Sequence, residues 1–183
     1  DFSASKERPK SFVGFSDITV ILSPLIAQCE VACIHAQMPY TFEEATLASL
    51  DSLRKSLFGE PQEYQYKSEF KNRRGKITGT LIGGNLTLLT MLQGSISEMD
   101  YTDKILFLED VGEHESSIDR MLRMLKRAGK LKNLRGLIIG AFNEIVVEKI
   151  PFGQTANEVI LEIIAEYDFP VCFDFPTGHI DHN

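Results

Sequence analysis

Phe12-Val13-Gly14-Phe15-Ser16-Asp17-Ile18-Thr19 passes from an apolar, strand-like run through an abrupt corner into the first turn of an apolar-periodic segment. Ile18, Ile21, Leu22, Leu25 and Cys29 then recur at helical spacing, which predicts a strand-to-helix unit whose helix is kinked or shortened at Pro24. Outward from that unit the same alternation continues. Val31 to His35 reads as a strand, and Thr41 with Glu44 forms a capping-box pattern ahead of Leu47, Leu50, Leu53 and Leu57, in a helix ending near Gly59. Ile77 to Ile82 reads as a strand, Gly83-Gly84-Asn85 as a turn, and Leu86 to Leu92 as a short helix that Asn85 caps. The strand Ile105 to Leu108 runs straight into Glu109-Asp110. Ile118, Met121, Leu122 and Leu125 mark a helix stopped by Gly129, and Leu137 to Ile139 is a buried strand. A last helix, Thr155 to Tyr167, precedes the strand Val171 to Phe175 and the turn Pro176-Thr177-Gly178-His179. Strands alternating with helices predict an α/β protein with a largely parallel sheet.

The polar stretch from Glu60 to Lys76, with Tyr64 and Tyr66 alternating, reads as a linker or peripheral hairpin. It divides the chain into residues 1–60, a connection over 61–76 and residues 77–183. The 183 residues suffice for a real core, and no apolar run approaches the length of a membrane span. A net charge of -7 argues against a nucleic-acid or anionic-membrane binder, because phosphate affinity rests on clustered Lys and Arg. Cys29, Cys33 and Cys172 show no CxxC spacing, so they read as small buried hydrophobes of a reducing compartment. The chain opens without Met and closes on Gly178-His179-Ile180-Asp181-His182-Asn183, so it reads as a portion of a longer sequence.

In α/β sheets ligands collect at the carboxyl ends of strands, and three such ends carry Ser16, Glu109 and His179. Serine becomes nucleophilic when a histidine takes its proton and a carboxylate orients that histidine. The order Ser, acid, His matches α/β-hydrolases, yet Gly14-Phe15-Ser16-Asp17-Ile18 lacks the second glycine of their elbow. Each residue also has a plainer reading: Ser16 as a helix cap, Glu109-Asp110 as a solvated strand end, His179 as a hydrogen-bonded loop residue. Gly83-Gly84-Asn85 lacks the lysine of a phosphate-binding loop, and His179, Asp181 and His182 lack the companion motif of a metal site. His35 reads as a pocket wall, Asp119-Arg120 as a structural or lobe-bridging charge pair, and Met121 and Met124 as core.

Gly14-Phe15-Ser16-Asp17-Ile18-Thr19, Gly83-Gly84-Asn85-Leu86, Ile105 to Val111, Ile118 to Leu122 and Pro176-Thr177-Gly178-His179, in that order, resemble the LD-carboxypeptidase family. These are serine peptidases that include muramoyltetrapeptide carboxypeptidases and microcin C self-immunity peptidases. The resemblance implies Ser16 as nucleophile, Glu109 as acid, His179 as base and the Asp17 backbone N–H as half of an oxyanion hole. It also implies Gly84 and Asn85 in the substrate-binding wall. It implies the remnant of an N-terminal flavodoxin-like lobe followed by a C-terminal α/β lobe, with the second oxyanion donor and further strands lying outside these residues. The expected activity is release of a terminal D-amino acid from the L,D-amide of a murein tetrapeptide in cytoplasmic peptidoglycan recycling. No metal or other cofactor, no nucleic acid and no membrane takes part, and a homodimer is expected. Two other readings stand beside it: an immunity-type peptidase cleaving a peptidyl acyl-sulfamoyl adenylate, for which the sequence shows no clear stacking aromatic, and a non-catalytic murein-peptide binding module.

Overall fold

The computed structural model describes residues 2–147 and 149–180. A short helix α1 (Ser3–Glu7) leads to β1 (Phe12–Gly14), a 3-10 turn over Ser16–Ile18 and α2 (Thr19–Cys29). β2 (Cys33–His35) pairs in parallel with β1, and α3 (Leu47–Leu57) follows. The remainder alternates: β3 (Leu81–Asn85), α4 (Leu86–Met91), β4 (Ile105–Val111), α5 (Glu115–Arg127), β5 (Gly136–Asn143), α6 (Ala156–Ile163) and β6 (Val171–Cys172). The last four strands form one parallel sheet in the order β3-β4-β5-β6. This is the α/β architecture with parallel sheets that the sequence predicts.

Strands added in one direction through right-handed crossovers put their helices on one face. The main core lies there: Leu106, Leu108, Leu137 and Ile139 of the sheet meet Leu89 of α4, Leu122 of α5 and Ile160 of α6. Burial of each such side chain contributes about 1.5–3 kcal/mol. The two-residue period of β4 then decides what the opposite face carries. Leu106, Leu108 and Asp110 point toward the helices, while Phe107 and Glu109 point away, toward the segment that bears Ser16 and His35.

Several boundaries differ from the sequence reading. Pro24 does not end α2, which continues to Cys29. Thr41 is not the cap of α3: it closes a 3-10 turn over Pro39–Thr41, its hydroxyl donating to Met38 O, and Thr46 caps the helix by accepting from Ser49 N. Gly83-Gly84-Asn85 is no turn but the carboxyl half of β3, because its backbone pairs in register with Phe107, Leu108 and Glu109. The strand therefore covers Leu81–Asn85 rather than Ile77 to Ile82. β6 stops at Cys172 because Asp174 turns left-handed (φ 56°), and its carboxylate accepts from Ser68 Oγ and from the Glu69 and Phe70 amides. α6 is likewise shorter, ending at Ile163, with Thr155 as its cap in a capping box with Glu158. Residues 60–76 form no hairpin. They run across the four-stranded sheet's edge, where Arg73 bridges to Val171 and Tyr64 and Tyr66 stand edge-on to Phe175. Asp119 pairs with Arg123, one turn along, rather than with Arg120, and Arg123 reaches Glu162 of α6. Met121 packs on the core, whereas Met124 is solvent-facing because Ile118, Leu122 and Leu125 occupy the inward stripe.

Both glycines of β3 hold backbone angles closed to other residues, with φ of 141° at Gly83 and 143° at Gly84. A Cβ on Gly83 would sit 1.9 Å from Phe107 O. Gly83→Ala is expected to destabilise by at least about 3 kcal/mol or to abolish folding, whereas Gly112→Ala, with open space around it, is expected to lose about 1 kcal/mol. Denaturant titration of both variants distinguishes steric exclusion from backbone strain alone.

Candidate active site

Gly14 allows the corner, since a Cβ there would lie 2.5 Å from the Ile18 side chain. Ser16 adopts φ 55°, a left-handed conformation that costs a non-glycine residue about 1–2 kcal/mol. Its hydroxyl does not cap a helix: Phe15 is the flanking residue of the 3-10 turn, and neither that turn nor α2 has a side-chain cap. The plain capping role is thus not the one adopted. Asp17 N–H heads the turn, where no earlier carbonyl of the helix is in reach.

His179 comes to this corner from the other end of the chain. Its ring stands edge-on to Phe15, the neighbour of Ser16, with centroids 5.0 Å apart, and the charge of Asp17 acts on it from the other side of Ser16. The turn bearing it is fixed by Ala141 N donating to Thr177 O and by Asn143 Nδ2 donating to His179 O. Gly178, at φ 117°, lies against Glu109: a Cβ there would be 3.3 Å from Oε2. The structure therefore brings the three sequence-predicted positions to one locus. It shows no hydrogen bond from Glu109 to His179, for both carboxyl oxygens and His179 Nε2 are buried without a partner among the described residues.

Burial sets the protonation states. Glu109 is fully buried, and that desolvation, reinforced by the neighbouring Asp110 and only partly offset by the Asn85 amide, pushes its carboxyl up to about 8. His179 is held below the usual histidine value by desolvation, against the opposing pull of Asp110, Glu144 and Asp17. His35 packs edge-on against Phe107, and burial together with the nearby His179 brings it down to about 4. Both imidazoles are thereby biased toward the neutral, proton-accepting form.

Beside Glu109 the strand ends in a second buried acid, Asp110, and this one has hydrogen-bond partners. Asp110 accepts from Asn85 Nδ2 (2.8 Å), Thr87 N (2.9 Å), Thr87 Oγ1 (2.9 Å) and Val111 N (2.9 Å). Asn85 Oδ1 caps α4 by accepting from Leu88 N, and Asn85 N donates to Thr19 Oγ1 (3.1 Å). Gly84 permits that last contact, since a Cβ on it would lie 2.6 Å from Thr19 Oγ1. Neither acid is a solvated strand end. A cleft of about 610 Å³ opens beside the locus, meeting it at His35, Phe107 and Thr177. Among the described residues no group of three or more His, Cys, Asp and Glu is arranged to hold a metal, and no helix is long and apolar enough to cross a membrane. Asp181 and His182 lie outside the described residues.

The LD-carboxypeptidase C-terminal domain matches residues 78–183, and the LD-carboxypeptidase N-terminal domain matches residues 1–36. The chain belongs to the LD-carboxypeptidase family. It is 34% identical to the Bacillus subtilis protein named "Probable murein peptide carboxypeptidase", over 98% of this chain and 58% of that protein. The crystal structure of a muramoyltetrapeptide carboxypeptidase from Oxalobacter formigenes superposes with a TM-score of 0.87 at 28% identity, over 100% of this chain and 64% of that one. The Escherichia coli microcin C7 self-immunity protein MccF is 26% identical over 98% of the chain and 61% of its own length. The chain thus spans about three fifths of the relatives it matches.

Within this LD-carboxypeptidase chain, sequence reasoning passed over Asp110 and Thr19. The signal for Asp110 was present: the period that buries Leu106 and Leu108 also turns residue 110 inward, and a buried carboxylate requires donors. A raised folded-state value at Glu109 makes stability fall as pH rises from about 4.5 through about 8, since the folded chain then holds a proton that the unfolded chain releases. Glu109→Gln removes that loss. The variant is expected to match the parent at pH 4 and to exceed it at pH 9 by on the order of 4 kcal/mol, read from denaturant midpoints at the two pH values.

Proposed function

We propose that this chain supplies the nucleophile, acid and base of a serine LD-carboxypeptidase that releases the terminal D-amino acid of a murein tetrapeptide. The observation that carries the reading is Ser16: a strained, uncapped serine whose neighbour Phe15 packs on the ring of His179, beside a fully buried carboxyl. Strain of this kind is retained where function needs it. The names of the relatives support a murein peptide as substrate.

In this reading neutral His179 takes the Ser16 proton as Oγ attacks the L,D-amide carbonyl. The oxyanion receives the Asp17 N–H, a donor at the positive end of the 3-10 turn and α2. The imidazolium returns its proton to the departing amine of the D-residue, leaving an acyl-Ser16 ester. Water, deprotonated by His179, hydrolyses that ester. Glu109 acts here as the carboxylate that orients His179 and stabilises the imidazolium, a positive charge on the ring favouring the ionised carboxyl. Gly84 and Asn85, expected in the substrate-binding wall, do not line the cleft: both are buried at the end of β3, and the Asn85 side chain is committed to Asp110 and Leu88.

The test uses the full-length protein with a murein tetrapeptide and mass spectrometry of the released amino acid. The parent is expected to release D-alanine, and Ser16→Ala to be slower by at least about 10³-fold. Turnover of a peptidyl sulfamoyl nucleotide with none of the tetrapeptide would instead favour the activity suggested by the MccF likeness. Binding of the tetrapeptide without turnover of either would leave a binding module.

A further inference from the structure

We propose that Asp110 is a positioning residue that fixes the Ser16 corner against the strand end bearing Glu109. The inference rests on the peptidase reading above and deepens it. Asp110 is 3% exposed, and its carboxylate gathers donors from two other elements: Asn85 at the end of β3 and both the amide and hydroxyl of Thr87 in the first turn of α4. The chain of contacts then crosses to the nucleophile, because Asn85 N donates to the buried Thr19 Oγ1, in the first turn of α2 just beyond the Ser16–Ile18 turn. Thr19, Asn85 and Asp110 thus form one connected path from the serine corner to the residue next to Glu109. Gly84 is what lets the path close.

A carboxylate suits this junction better than an amide does. Its two oxygens accept all four hydrogen bonds, whereas an asparagine would present a donor to at least one N–H that needs an acceptor. The charge has a second effect. It acts on His179 through space together with Asp17 from the serine corner and Glu144 beyond β5, with the neutral His35 of β2 nearby, and it lies next to Glu109. Loss of the charge therefore moves His179 to a lower titration midpoint, which a purely structural role would not do.

The experiment compares the full-length parent, Asp110→Asn and Thr87→Val in D-alanine release from a murein tetrapeptide. A second readout follows the His179 ring protons by NMR against pH and needs no turnover. Asp110→Asn is expected to lower kcat by about 10²-fold with KM within about threefold, as for a misplaced rather than missing group. Its His179 midpoint is expected to fall. Thr87→Val keeps the charge and removes one donor, so kcat is expected to fall by about tenfold with the midpoint unmoved. An unchanged kcat in a folded Asp110→Asn, or a loss of kcat that only tracks the unfolded fraction with an unmoved midpoint, overturns the proposal. If Asp110→Asn does not fold, an unchanged kcat in Thr87→Val overturns it. A parent that releases no D-alanine sinks the peptidase reading instead, and the His179 midpoint in Asp110→Asn then decides whether the carboxylate acts on this histidine.

Discussion

The close approach of β3 to its surroundings is the constraint on which the site depends. At Gly83 the strand runs against the Phe107 carbonyl, and at Gly84 against the Thr19 side chain, at distances that leave no room for a Cβ. Two consecutive residues without side chains thus let one strand end touch β4 on one side and the helix behind Ser16 on the other. Both contacts involve backbone or a β-branched side chain, which have little freedom to yield. The relative placement of serine corner and acidic strand end is therefore set by hard contacts before any hydrogen bond is counted.

On that steric frame, two adjacent acids are given opposite environments by the pleat of one strand. Asp110 turns toward α4 and finds four donors; Glu109 turns away, and its oxygens have no hydrogen-bond partner among the described residues. The same residue spacing that divides them also places one negative charge beside the other, which adds to the burial that keeps Glu109 protonated. A carboxyl held by four donors next to one with no hydrogen-bond partner among the described residues is how a single strand end supplies both a fixed anchor and a group whose environment favours the neutral form. The two imidazoles nearby, biased toward the neutral form, add groups able to acquire a charge.

What was legible in the sequence follows from which interactions are local. The alternation of strands and helices, the Asn85 cap of α4 and the stop at Gly129 depend on neighbouring residues and were read correctly. Ser16 and Glu109 stand at the ends of strands of two separate sheets, and His179 on a turn beyond the end of β6 at Cys172, so the strand-end reading holds for the first two and not for the third. The errors came where long-range contact overrode local pattern. Gly83-Gly84-Asn85 looks like a turn to any local rule, but Phe107 and Thr19 decide otherwise. The end of β6 is set by a carboxylate serving residues more than a hundred positions earlier. Thr41 lost its capping role to a turn whose carbonyl was closer at hand. Asp110 was hidden by its neighbour, since a pair of acids at a strand end reads as solvent-facing until the period is followed through both.

The left-handed backbone of Ser16 has a consequence for lineages as well as for chemistry. Glycine and asparagine occupy that conformation with less strain than serine, so the fold itself exerts a steady pull away from the hydroxyl. Only selection for the hydroxyl opposes it. If the hydroxyl serves as proposed above, a descendant released from that selection would drift toward Gly or Asn at this corner while the surrounding strands and helices stayed intact, and position 16 would record whether the proposed chemistry is still being maintained.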